Sequence, residues 1–131
     1  MNGERTTFIN DLSGKVIGAA IEVHRELGPG LLESVYPEAL AAELIAGGLS
    51  VAREVVLPVF YKGRALKQGL RLDLLIEGQL MAEVKAIDAL AAIHSAQLLT
   101  YLRLASKPIG LLLNFNFEIM RLGVKRIVNQ R

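Results

Sequence analysis

The sequence predicts an α/β domain in which a mixed α+β sheet is flanked by helices. Three observations predict it: two helical stretches open the chain, β-branched and alternating apolar runs fill its middle, and a third helix precedes a last, wholly apolar run. At 131 residues and 52% hydrophobic, the chain suits one domain over residues 1–131. That length buries roughly two thirds of the surface the unfolded form exposes. No internal repeat or low-complexity linker interrupts it.

Residues 11 to 27 read as a helix capped by Asp11 or Ser13, because Leu12, Val16, Ala20, Val23 and Leu27 recur every three or four positions. Gly28-Pro29 ends it, a left-handed stop followed by a residue that cannot continue a helix. A second helix runs from about Leu31 or Ser34 to Ala46 and closes at Gly47-Gly48. Pro37 is comfortable only in a first turn. Either Ser34 is the N-cap, or the helix starts earlier and kinks with the Glu33 carbonyl unpaired; both place Glu33 at or near a helix N-terminus. Val51 to Tyr61 is β-branched and aromatic enough for a strand, and Lys62-Gly63-Arg64 for a turn. A third helix is expected over Asp88 to Ala105, with Asp88 as cap and Lys107-Pro108 beyond its end. Ile109 to Phe115 reads as a strand covered on both faces, and Met120 to Val128 as an edge strand.

Between these lie two adjoining apolar runs, Leu70 to Ile76 and Leu80 to Ile87, joined at Glu77-Gly78-Gln79. Register decides which side chains share a face. A two-residue loop would pair Leu72 with Glu83 and mix acids with leucines. A three-residue loop instead sets Ile76 opposite Leu80 and Asp73 opposite Glu83. Leu70, Leu72, Leu74, Ile76, Leu80, Ala82, Val84 and Ala86 then form one apolar side, and Arg71, Asp73, Leu75, Met81, Glu83 and Lys85 the other. The second register is preferred, with Gly78 as the positive-φ residue. Opposed carboxylates repel, so Asp73 and Glu83 need a nearby cation, which Lys85 or a divalent metal supplies. Two carboxylates and an ammonium on one sheet face suit metal-assisted phosphodiester chemistry. The same pattern also fits a solvent-facing hairpin with a cross-strand ion pair.

Composition excludes several classes. Fifteen basic and thirteen acidic residues leave a net charge of +2, so a nucleic-acid surface has to be a local patch; the tail from Lys125-Arg126 to Arg131 is one candidate. Without cysteine, disulfides and thiolate metal sites are out, and any metal must take oxygen or imidazole ligands. The longest uncharged stretch, Ala89 to Leu102, falls short of the ~18 apolar residues of a membrane span, and no secretory pattern opens the chain. The expectation is a soluble, cytoplasmic protein. His24 and His94 are read as structural, and Gly28-Pro29-Gly30 as a helix-breaking corner rather than a phosphate loop.

Gly30-Leu31-Leu32-Glu33-Ser34-Val35-Tyr36 matches the signature of the small bacterial GxxExxY proteins, and the chain resembles that family over nearly its full length. Those proteins resemble the PD-(D/E)XK nuclease superfamily, whose restriction-endonuclease-like core carries Asp and Glu-x-Lys on a mixed sheet between helices. The likeness rests on Glu33, Asp73, Glu83-Val84-Lys85 and Gln97-Leu98-Leu99-Thr100-Tyr101, the last resembling the Gln-x-x-x-Tyr element of recombination-type nucleases. Leu72 stands where the superfamily's name has proline, a departure that removes no ligand.

The resemblance implies roles. Asp73, Glu83, Glu33 and the Val84 carbonyl would hold Mg²⁺ or Mn²⁺ in a site completed by water. Glu33, Asp73, Glu83 and Lys85 would be the catalytic set, with Lys85 positioning water or stabilising the transition state. Tyr36, Gln97 and Tyr101 would support it: Gln97 by bonding a carboxylate or Lys85, Tyr101 by touching the substrate backbone, Tyr36 by orienting Glu33 or by packing. The implied activity is metal-dependent hydrolysis of nucleic-acid phosphodiesters, DNA before RNA. The alternatives are an inactive nuclease-fold module that binds nucleic acid or a protein, and a structural homodimer built on surplus apolar helix faces.

Overall fold

The three-to-four-residue spacing of Leu12, Val16, Ala20 and Val23 becomes the buried stripe of α1 (Gly3–Leu27) in the computed structural model, which describes residues 3–130. The helix begins earlier than its caps suggest. Ser13 is buried inside it, its hydroxyl donating to the Ile9 carbonyl at 2.9 Å, which is back-bonding within a helix rather than capping. Gly28, at φ +71°, ends it as expected.

α2 (Val35–Ala46) follows with Ser34 at its N-cap position. Pro37 therefore sits in the first turn, where no main-chain donor is missed. The Glu33 carbonyl accepts from the Tyr36 amide at 3.3 Å, so of the two starts open to this helix the later one holds. Glu33 itself occupies the turn before the helix rather than the helix.

The expected strand from Val51 to Tyr61 is two strands. β1 (Val51–Leu57) stops before Pro58, which has no N–H to offer a ladder. β2 (Phe60–Tyr61) and β3 (Arg64–Ala65) form a separate two-stranded hairpin around Lys62 and Gly63. β4 (Leu70–Ile76), β5 (Leu80–Lys85), α3 (Ala92–Ala105), β6 (Ile109–Asn114) and β7 (Val124–Val128) complete the chain, with a 3₁₀ turn over Met120–Gly123 before β7. The sheet order is β1-β4-β5-β6-β7, antiparallel except for the parallel β5–β6 pair. This is a mixed sheet flanked by helices, as the sequence predicts. α3 is the crossover that a parallel pair requires.

Two cores lie on opposite sides of the sheet. Leu40, Leu44, Leu74, Ile76, Leu80, Ala82, Val84, Leu111 and Leu113 join the stripe of α1, while Leu72, Met81, Leu98, Leu102 and Leu112 pack under α3. Each fully buried leucine contributes about 1.5–3 kcal/mol. Gly110 lets α3 approach closely, for a Cβ there would stand 2.8 Å from a Leu98 methyl. α3 starts later than expected: its N-cap is Ala91, and the His94 ring accepts the Ala91 amide at 2.9 Å in the role foreseen for Asp88. Among the described residues no helix is long and apolar enough to cross a membrane.

The three-residue loop holds, with Ile76 opposite Leu80 and positive φ at both Glu77 and Gly78. The single apolar face does not hold. Leu72 belongs to the α3 side and Leu74 to the α1–α2 side, although residues two apart in a strand normally share a face. β1 makes the same change, Val51 packing on one side and Val55 and Leu57 on the other. Between them lies Glu54, at φ +50° and unpaired in a ladder that otherwise runs unbroken from Val51–Ile76 to Leu57–Leu70. One left-handed residue reverses the alternation, and its unpaired neighbour across the strand gap is Asp73.

Candidate active site

The β4–β5 ladder stops at Leu74–Ala82. The next pair in that register is Asp73 and Glu83, and here side chains take over from the main chain. The Asp73 amide donates to Glu83 Oε1 at 3.3 Å, and the Val84 amide donates to Asp73 Oδ2 at 2.8 Å. The strands part while each carboxylate is held by the opposite strand. Glu33 closes the arrangement from the turn before α2, its Oε1 accepting the Ala86 amide at 2.9 Å just past the end of β5. Residues from three separate segments are thus tied to one strand end.

A cleft of about 340 Å³ opens here, walled by Glu33, Ser34, Arg53, Glu54, Asp73 and Val84. Burial pushes the Asp73 carboxyl above its ordinary range, with Glu33 and Glu54 adding repulsion; the Val84 amide and Lys85 pull it back. Burial likewise drives Glu83 from 4.5 up to about 7, and the charge of Asp73 adds to it against the opposing pull of the Asp73 amide and Lys85. Burial therefore makes the charged form of both acids costly in the absence of a cation. Lys85 acts on both acids through its field, without a contact ion pair to either among the described residues.

The supporting residues divide. Gln97 donates to the Tyr101 hydroxyl at 2.9 Å within α3, so the bond foreseen to a carboxylate or Lys85 is not the one it makes. Tyr36 is fully buried, stacked on Phe115 at 4.6 Å. Its hydroxyl donates to the Gly28 carbonyl at 2.8 Å and accepts the Leu31 amide at 3.0 Å. It fixes the loop that delivers Glu33 and does not touch the Glu33 carboxylate. His24 bonds the Phe117 carbonyl at 2.7 Å, and His94 caps α3, so both are structural. The basic tail lies on β7, at the sheet edge opposite β1; Arg126 bonds the Asn10 side chain, and Arg131 is outside the described residues.

Sequence reasoning passed over three residues. Glu54 and Arg53 enter the cleft because β1 pairs with β4, a contact with no local signal. Asn114 is fully buried at the end of β6: its Oδ1 accepts the Ile87 and Asn116 amides at 3.1 and 3.2 Å, and its Nδ2 donates to the Ile87 carbonyl at 2.9 Å. Asn116 in turn accepts the Gly30 amide at 3.2 Å. This chain of bonds ties the segment after Lys85 to the loop before Glu33. A lone amide at the end of an otherwise apolar run was the available signal.

The donors available to a metal are carboxylate and carbonyl oxygens, with nothing softer among them. That chemistry fits magnesium or manganese, and a cation would offset both the burial and the lesser mutual repulsion that lift Asp73 and Glu83. As the side chains lie, no three acidic or imidazole groups among the described residues stand close enough together to hold one ion. The model of one protein family, described as the PD-(D/E)XK nuclease superfamily, matches residues 10–127. No curated protein and no solved structure gives a match.

Proposed function

The chain belongs to the PD-(D/E)XK nuclease superfamily, and on that premise we propose that it is a metal-dependent nuclease of the GxxExxY type, hydrolysing nucleic-acid phosphodiesters in the cytoplasm, with DNA the first substrate to test. The observation that carries this reading is the interlocked pair Asp73 and Glu83, both in the field of Lys85, with Glu33 tied to the same strand end through the Ala86 amide.

Asp73, Glu83, Glu33 and the Val84 carbonyl would hold Mg²⁺ or Mn²⁺. When bound, such an ion supplies positive charge to the scissile phosphate and lowers the pKa of water. The protein's own part is positional. The Asp73–Val84 and Glu83–Asp73 bonds keep two carboxylates in place before substrate arrives, so little ordering remains at the moment of reaction. Lys85 holds an ammonium where negative charge grows on the phosphoryl oxygens or on the attacking water. Tyr36 and Asn114 act only through the loops they hold.

The test is hydrolysis of labelled single-stranded, duplex and branched DNA in Mg²⁺ or Mn²⁺, with Lys85→Ala and Asp73→Ala beside the wild type. Cleavage should need the metal and both side chains. Cleavage indifferent to Lys85→Ala would mark a contaminant and end the proposal. A second reading, a nuclease-fold module that binds without cutting, is favoured by one observation: every carboxylate of the set already accepts a main-chain amide, and no three lie together. Its signature is calorimetry without metal heat in the wild type.

A further inference from the structure

The charge of this chain is concentrated in one place. Residues 55–72 contain Lys62, Arg64, Lys67 and Arg71 and no acid, whereas the whole chain carries only +2, so the remainder is net acidic. This stretch includes the β2–β3 hairpin, which forms a two-stranded sheet separate from the main one and has both of its aromatic rings largely in solvent: Phe60 and Tyr61 are each 60% exposed. A core residue would not be left so. Among the described residues none of the four cations forms an ion pair.

The hairpin is built to hold its shape. Lys62 and Gly63 both have positive φ, as a tight two-residue turn requires, and Tyr61 pairs directly with Arg64. The Lys62 ammonium lies 5.4 Å over the Tyr61 ring. At its base the Leu66 amide donates to the Val59 carbonyl at 2.9 Å. Gly69 brings the returning chain against β1, since a Cβ there would come within 2.6 Å of the Leu57 carbonyl oxygen. The base also marks the functional end of the sheet: Leu57 pairs with Leu70, three residues and on the order of 10 Å along β4 from Asp73.

We propose that this hairpin grips an unpaired strand of the nucleic-acid substrate, with Phe60 and Tyr61 as stacking surfaces for bases and Lys62, Arg64, Lys67 and Arg71 meeting the phosphates. Exposed aromatics interleaved with unpaired cations are the combination that binds single strands without reading sequence. The acidic cleft repels a polyanion by itself, so a separate cationic arm at the same sheet end supplies the attraction it lacks. The inference rests on the nuclease reading for its substrate, but its test does not require turnover.

Binding of fluorescein-labelled single-stranded and duplex oligonucleotides is followed by anisotropy in EDTA over a salt series. Wild type should prefer the single strand. Phe60→Ala with Tyr61→Ala should weaken that binding about tenfold or more. Replacing all four cations with glutamine should also make the log–log salt slope shallower by about 3, at about 0.7 per lost phosphate contact. The replaced side chains are exposed, so circular dichroism and Tm should stay at wild-type values. Wild type that binds no oligonucleotide, or variants that keep its affinity and salt slope, would overturn the proposal; a hairpin that serves a protein partner gives the latter result. Hairpin-dependent binding that Asp73→Ala retains, without metal-dependent cleavage by the wild type, would support the grip while the hydrolytic reading fails.

Discussion

Removing the charge of Glu83 should stabilise the metal-free protein, and the effect should depend on pH in a way fixed by the site. Its carboxyl titrates at about 7 in the fold against an ordinary 4.5, so the native state binds its proton more tightly than the unfolded chain does. A raised carboxyl of this kind lends its full stability below pH 4.5, loses it progressively as pH climbs to about 7, and changes nothing further above that. At 1.36 kcal/mol per pH step, the span corresponds to about 3 kcal/mol. Because Asp73 shares the same repulsion and a partly solvated acid is screened, the measurable part is about 1–3 kcal/mol. Glu83→Gln keeps the shape and the oxygen that accepts the Asp73 amide, so it isolates the charge. Urea unfolding in EDTA should show wild type losing stability from pH 4.5 to 8 while the variant changes less. Wild type and variant should agree near pH 4.5, and at pH 8 the variant should be the more stable. In Tm the gain is roughly 3–10 °C. Parallel pH curves, or wild type gaining relative stability as pH rises, would refute the electrostatic account of this site.

Other consequences follow from single contacts. Tyr36→Phe leaves the Leu31 amide and the Gly28 carbonyl without their partner and should cost about 1–2 kcal/mol in urea unfolding, with faster hydrogen exchange at Leu31. Asn114→Leu removes the clamp on Ile87; a loss of about 1–3 kcal/mol is expected, and one below 0.5 kcal/mol would show the clamp to be dispensable. Glu54→Gly relieves a left-handed residue inside a strand and should leave stability equal or raise it by about 0.5–1 kcal/mol, whereas Glu54→Val should lower it.

Much of the site was legible because its parts are local. Turn length and alternation set Ile76 opposite Leu80, and that register carries Asp73 to Glu83. Gly28 and Gly47-Gly48 punctuated the first two helices correctly because a helix stop depends on neighbouring residues alone. Where two local starts were open, as at Glu33, a hydrogen bond from Tyr36 decided. The alternation expected of β4 breaks opposite a backbone irregularity in the neighbouring strand: nothing in Arg53-Glu54-Val55 announces a left-handed glutamate, and on either side of it Leu72 and Leu74 go to different cores. Pro58, with no N–H to give a ladder, cuts the expected strand from Val51 to Tyr61 into two.

The order of elements, the strand pairing around Gly78 and the identity of the acids belonged to the sequence, because hydrophobic period and turn chemistry act over a few residues. Tertiary structure alone decided that β1 lies beside β4 and brings Glu54 and Arg53 into the cleft, that Asn114 ties the end of β5 to the loop before Glu33, and that Gln97 bonds Tyr101. Those contacts join residues 13 to 86 positions apart, apart from the last. Which of many compatible polar partners a side chain meets depends on how layers stack, and no local pattern encodes that.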